Sequence, residues 1–464
     1  MSVTQERPAT NSKVAPVKSV PVYSERMATG KLLRKAVPRA SHDGWSAPPD
    51  RPDPIDLLES QNQTRVPHLV PVRFGRMLAS PFAFFRGSAI LMANDLASTP
   101  VSGPLVQACG DAHISNFGTY ATPERSLVFD LNDFDETLPA PWEWDLKRLV
   151  ASVMVGSRGN GFSSSDCAKA VEAAARSYRE HMALYASMSH LDVWYTRIQT
   201  AEIESVLSGS ARKDLSRAVL RASQRGNLQA LDKMTANVDG KIRIVDQPPL
   251  IVHHSDELVG DRLPEFARAY RTSVHPELRD LLARYTFVDF AQKVVGVGSV
   301  GTRCYIVLLQ GNHDRDPLFL QIKEAVPSVL EPFADKSKYK NHGERVVHGQ
   351  RAIQAASDIF LGWGRVNGID YYARQLRDMK GSAVVEQFTA RRMAIYAGLC
   401  GWALARAHAR SGDAATISGY LGSGDAFDEA MVGFAKDYAD QNERDYNALV
   451  AAVKSGRVEA TTGL

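Results

Sequence analysis

The chain has 464 residues, 44% of them hydrophobic and 23% charged, with 55 Lys and Arg against 52 Asp and Glu for a net charge of +3. That balance describes a globular protein of two or three packed units and excludes the strong basic field of a nucleic-acid binder. Cys109, Cys167, Cys304 and Cys400 form no CxxC pair, and neither a signal-peptide core nor an apolar run of roughly 20 residues is present, so a cytoplasmic protein without zinc, disulfides or membrane attachment is expected.

Residues 1–54 are rich in Pro, Ser, Lys and Arg and poor in aromatics, which predicts a disordered basic tail. Its patch Lys31-Leu32-Leu33-Arg34-Lys35 reads as a solvated charge run. Residues 55–284 are expected to form a catalytic-loop and helical lobe. In it, Met77, Phe84, Phe85, Ile90, Leu91 and Leu96 recur at helical spacing across Pro81, and helical patterning resumes from Trp144 to about Arg225. Residues 285–385 read as a β-rich lobe, with strands over Thr286–Val295, Thr302–Gln310 and Leu318–Lys323 in a meander. Residues 386–464 return to helical spacing, over 388–409 and 427–453, and are expected to pack back on the first lobe.

Two segments of the first lobe carry chemistry. Gly110-Asp111-Ala112-His113-Ile114-Ser115-Asn116 places an Asp and an Asn five residues apart, the separation in the protein-kinase catalytic loop, where the Asp accepts a hydroxyl proton and the Asn holds metal. Downstream, Phe129-Asp130-Leu131-Asn132-Asp133-Phe134-Asp135-Glu136 packs four acids around an apolar ring. Such density is costly without a cation, and oxygen ligands without Cys point to magnesium or manganese. Asp133-Phe134-Asp135 resembles the kinase Asp-Phe-Gly, which makes Asp133 the expected main ligand, with Asp135 and Asp130 as alternatives. His113 is expected to be a hydrogen-bonded structural group. The first segment also resembles the His-Gly-Asp-x-His-x-x-Asn pattern of aminoglycoside and choline kinases, with Cys109 in place of the first His. In that resemblance Asp145, in Pro141-Trp142-Glu143-Trp144-Asp145, would brace the loop through its backbone amides.

Much later comes Gly296-Val297-Gly298-Ser299-Val300-Gly301, a G-x-G-x-x-G followed by strand residues rather than a helix. This context excludes a dinucleotide fold and fits a hairpin loop covering phosphates. Leu320-Gln321-Ile322-Lys323 resembles the kinase Val-Ala-Ile-Lys, so Lys323 is the expected phosphate contact. Its expected partner is Glu344, with Glu324 and Glu331 as rivals. Strand alternation puts Leu318, Leu320 and Ile322 on one face and Phe319, Gln321 and Lys323 on the other.

In kinases the glycine loop and lysine precede the catalytic Asp; here they follow it. The expected fold is therefore α+β, a protein-kinase-like two-lobe arrangement circularly permuted, with the helical catalytic lobe first and a small antiparallel β lobe later. Ser80-Pro81-Phe82-Ala83-Phe84-Phe85-Arg86-Gly87, the Gly110–Gly118 loop, Asn132–Glu136 and Arg374–Gly381 together resemble a bacterial family, domain of unknown function 2252. The kinase resemblance implies ATP and Mg2+ as cofactors and a phosphotransferase acting on a hydroxyl of a small polar molecule. In that reading Asp111 is the base, Asn116, Asp133 and Asp135 meet the metal, and Gly296, Gly298, Ser299 and Gly301 cover the phosphates. Nucleotidyl transfer to a protein, a non-catalytic nucleotide-binding scaffold, and a metal hydrolase built on Asp111 and His113 are the alternatives. Arg86, Arg148, Arg374, Arg377 and Lys380 are candidates for an anionic substrate pocket or for structural ion pairs.

Overall fold

The computed structural model describes residues 21–206, 209–253, 262–376 and 379–463. It is α+β, with antiparallel sheets set among helices. The helical run around Pro81 forms three short helices, Val70–Met77, Pro81–Gly87 and Ala89–Leu96. Pro81 opens the second because a first-turn residue needs no N–H partner, and the Ser80 hydroxyl accepts from Ala83 N to cap it.

Two strand pairings then determine where the site lies. Leu105–Ala108 pairs with Leu138–Pro141, and Phe117–Ala121 pairs with Leu127–Leu131. The connections between them are the Cys109–Asn116 loop and the acidic segment Asn132–Thr137, so the pairings hold these two loops side by side. Behind them the helices Trp142–Gly159 and Ser164–Ser187 pack with Ala390–Ser411 and Ala426–Lys454 in one core. The C-terminal helices thus pack on the helices of residues 142–187. Ala390–Ser411 approaches Ser164–Ser187 so closely that a side chain at Gly401 would overlap the Ala174 carbonyl.

The second part of the chain builds a six-stranded sheet in the order 362–366, 369–375, 317–325, 304–310, 286–293, 251–252. The meander is there, and the alternation along Pro317–Ala325 holds. Leu318, Leu320 and Ile322 pack with Phe266 and Tyr270, whereas Phe319 packs with Ile306, Ile251 and Leu231 on the other face. Three features depart from the sequence reading. The helices Leu263–Ser273 and Pro276–Leu282 cover the sheet, which moves the boundary expected at 284/285 upstream. The hairpin Gly362–Val366 and Ile369–Gln375 adds two strands, turning at Asn367 and Gly368 with φ of 50° and 75°. Gly381–Ser382 leaves this sheet to pair with Phe117–Ala121.

The tail expected over 1–54 is partly a correction. Residues 1–20 lie outside the described residues, but Tyr23–Ala36 is a helix packed on Ala414–Leu421, where Arg34 donates to the carbonyls of Gly419 and Tyr420. Lys31 and Lys35 are exposed. Arg51 bridges the buried carboxylates of Asp95 and Asp445 at 2.7 Å each. Composition misjudged this segment because its anchoring contacts, Arg34 and His42 to Tyr420 and Arg51 to Asp445, are made to helices far along the chain.

His42 belongs to the same anchor, with Nε2 2.8 Å from the Tyr420 hydroxyl and its ring edge-on to Phe427. Burial, and secondarily Lys147, lowers its pKa from 6.5 to about 3. Below pH 6.5 the unfolded chain takes up a proton that the folded one refuses, so this contribution to stability is present above 6.5 and lost as pH falls toward 3. Acidification from pH 7 to pH 5 is expected to cost the wild type about 2 kcal/mol more than His42→Gln. Urea unfolding at the two pH values measures it, and parallel losses would contradict it.

Candidate active site

The first loop is held from below. Asp145, in the first turn of Trp142–Gly159, accepts from Cys109 N at 2.6 Å and Gly110 N at 2.9 Å. This is the bracing role that the resemblance assigned to it. His408 Nε2 lies 3.2 Å from the same carboxylate, and Tyr178 hydroxyl lies 2.8 Å from His408 Nδ1. The loop's support therefore reaches into the helix Ala390–Ser411. Gly110 has φ of 82°, and a side chain there would run into the Glu136 carbonyl, so this glycine lets the two loops touch. Cys109 donates from Sγ to the Asp133 carbonyl at 3.2 Å.

Asn116 Nδ2 donates to the carbonyls of Asp111 at 2.9 Å and Asp133 at 3.2 Å, stitching the Cys109–Asn116 loop to the acidic segment. Asp111 Oδ1 accepts from Arg148 Nε at 2.9 Å and pairs with Nη2 at 2.8 Å. Burial raises the Asp111 pKa, with Arg148 opposing. His113 Nε2 stands 3.7 Å from Asp111 Oδ2, and its Nδ1 is buried without a partner among the described residues.

The acids have different fates. Asp130 is fully buried against Arg406 and receives Ala355 N, which removes it from the set of metal candidates. Asp135 Oδ2 accepts from Lys323 Nζ, and its Oδ1 accepts from the Tyr372 hydroxyl at 2.8 Å. Burial alone would raise its pKa, but Lys323 and Tyr372 outweigh it and hold it below the ordinary carboxylate value. Asp133 is the more open of the two, its side chain 40% exposed against 27%, with Oδ2 3.9 Å from Lys323. Burial and the neighbouring Asp135 raise its pKa. Asp133 and Asp135 flank a cavity of about 280 Å³ that Asp111 and Asn116 also line.

From the sheet side, the loop joining Thr286–Lys293 to Cys304–Gln310 brings Gly296, Gly298 and Ser299 to the same cavity. Ser299 Oγ accepts from Lys323 Nζ at 2.8 Å. Gly301 instead packs against Arg65 and does not itself line the cavity. Lys323 is 2% exposed; burial would lower its pKa, but Asp133 and Asp135 raise it above the ordinary value.

Glu344 is a correction. Its carboxylate lies 3.8 Å from His348 and does not line the cavity. Of the rivals, Glu324 pairs with Arg303 and Glu331 lies 3.9 Å from His342. The helix His342–Ile353 contributes an arginine instead: Arg345 donates to the carbonyls of Thr137, Asp135 and Val326, fixing the backbone of the acidic segment. Arg374 bonds Gln321 and the Asn132 carbonyl, and Arg377 lies outside the described residues. Sequence reasoning missed Arg345, Tyr372, Arg406 and His408. Only Tyr372 carried a signal, since Asn367-Gly368 between alternating residues marks a hairpin that would have put it beside Lys323.

Magnesium commonly binds through one or two carboxylates and takes its other ligands from water and phosphate oxygens. Among the described residues no three His, Cys, Asp or Glu side chains converge as a complete cage. The hard-oxygen pair Asp133 and Asp135, with Asn116 lining the same cavity, fits that partial mode of binding.

Asp145→Ala would leave the Cys109 and Gly110 amides buried without an acceptor. A loss of about 3 kcal/mol in urea-unfolding stability is expected, the scale of two unsatisfied donors. A loss under about 1 kcal/mol would mean that the loop is held by other contacts.

No curated protein and no solved structure matches the chain. No described helix is long and apolar enough to cross a membrane. The family model described as "uncharacterized protein conserved in bacteria (DUF2252)" matches residues 65–452. The chain, with its paired loops, acidic segment and lysine-bearing strand, belongs to the DUF2252 family.

Proposed function

We propose that this cleft transfers the terminal phosphoryl group of ATP to a hydroxyl of a small polar molecule, with magnesium. The observation that carries the reading is the meeting of Lys323 and Ser299 with Asp135 and Asp133. Lys323 and Asp135 are 188 positions apart. A glycine loop, a strand lysine, an acidic pair and a braced Asp are the parts that phosphoryl transfer requires. Their convergence despite reversed chain order supports a circularly permuted protein-kinase-like arrangement.

In this reading the acceptor hydroxyl approaches Asp111, whose Oδ2 takes its proton while the oxygen attacks the γ-phosphorus and ADP leaves. Arg148 orients that carboxylate by holding Oδ1, and the raised pKa makes it a better base. Asp133, the more open acid, is the principal metal ligand, Asp135 supports it, and Asn116 contributes the amide oxygen that its loop contacts leave unused. Bound magnesium would neutralise the phosphate charge. Lys323 and the backbone of Gly296–Ser299 hold the phosphates. Replacement of the helix glutamate by Asp135 as the lysine's partner is the departure from ordinary kinases.

Calorimetry with ATP and magnesium on the wild type, Asp133→Ala and Lys323→Ala tests the reading. Both variants are expected to bind about tenfold or more weakly. Unchanged affinity in both would defeat it. Label placed on the α-phosphate and reaching the product would assign nucleotidyl transfer instead.

A further inference from the structure

Arginines around this cleft are mostly committed to protein partners. Arg148 holds Asp111 and the Phe85 carbonyl, Arg73 donates to Gln61, Asn62 and Gly87, and Arg345 donates to three carbonyls. Arg86 stands apart. It lies in the last turn of the short helix Pro81–Gly87, is half-buried, and lines the same cavity. Its Nε is buried without a partner, and the side chain makes no hydrogen bond or ion pair to any described residue. Asp111 and Glu386 act on it only through space.

His113 completes the feature. It is 8% exposed, lines the cavity, and has a buried Nδ1 with no partner. Burial, with Arg86 and Arg148 nearby, keeps the imidazole neutral, so one ring nitrogen can still donate. Gly298 lies over the Arg86 backbone, and a side chain there would stand 3.1 Å from the Arg86 carbonyl. Arg86 and His113 therefore sit between the base and the glycine loop.

We propose that Arg86 and His113 form an oxyanion subsite beside Asp111 that binds a phosphate group. A partly desolvated guanidinium without an acceptor is costly, and its planar fork matches a phosphate better than any single protein oxygen. The group bound is either the terminal phosphate of the nucleotide or a phosphate carried by the acceptor, which would make the acceptor a phosphorylated small molecule. The choice of source rests on the phosphotransferase reading; binding of the anion does not.

The test is calorimetric titration of the full chain with inorganic phosphate and, separately, with magnesium-ATP, on the wild type, Arg86→Gln, Arg86→Lys and Lys323→Ala. Arg86→Gln is expected to weaken phosphate binding about tenfold, and Arg86→Lys, which keeps the charge but loses the fork, about threefold. If magnesium-ATP weakens in parallel, the nucleotide supplies the group; if it does not, the acceptor does. Phosphate binding that depends on Arg86 without any ATP binding would uphold the subsite while removing the nucleotide reading. Absence of phosphate binding in the wild type overturns the proposal. So does affinity unchanged in Arg86→Gln, or in Arg86→Lys should the first variant not fold, or a loss confined to Lys323→Ala.

Discussion

The ammonium of Lys323, 2% exposed, is the charge around which the cleft is organised. A buried cation of this kind is tolerated only where carboxylates meet it at close range. Asp135 does so directly, with Asp133 3.9 Å away and Ser299 at 2.8 Å. These contacts tie the centre of the sheet to a loop of the first lobe and to the glycine-rich connection of its own sheet. Since Tyr372 takes the other oxygen of Asp135, the neighbouring strand is drawn into the same arrangement. Asp133 is left as the more open acid. Which of the two carboxylates stays more open thus follows from which of them the lysine occupies.

Around that centre runs a layer of buried polar groups that fixes the backbone of both loops. Asp145 receives the amides of Cys109 and Gly110, Asn116 joins the loops through their carbonyls, and Arg345 gathers the carbonyls of Asp135, Thr137 and Val326. Two fully buried residues of one C-terminal helix extend this layer. Arg406 pairs with Asp130 at the end of the strand feeding the acidic segment, and His408 stands against Asp145. Removing one member of such a pair strands the other in a low-dielectric interior. A helix late in the sequence therefore helps hold a loop formed near residue 110.

Within the acidic segment, neighbours in sequence have opposite environments. Asp130 points into the core, whereas Asp133 and Asp135 face the cleft across Phe134, which is itself buried. The spacing of charges along the chain does not distinguish these cases. Depth and the reach of Arg406 and Lys323 do.

The sequence by itself determined what depends on near neighbours along the chain. The Asp111 and Asn116 spacing, the glycine loop followed by strand residues, the alternation that turns Lys323 away from Leu320 and Ile322, and the helical period of the C-terminal segments all describe local geometry. Each is present in the fold. The hairpin at Asn367-Gly368 was equally local and was readable by the same rule. Tertiary structure alone decided the pairings: Asp135 rather than Glu344 beside Lys323, Arg406 on Asp130, Arg148 on Asp111, and Arg86 on none of the described residues. It also folded part of the expected tail, through contacts of Arg34, His42 and Arg51 with helices nearly four hundred positions away. The reason is physical: backbone conformation answers to local sterics and period, while a charged side chain's partner is whichever group the completed packing brings within a few ångströms.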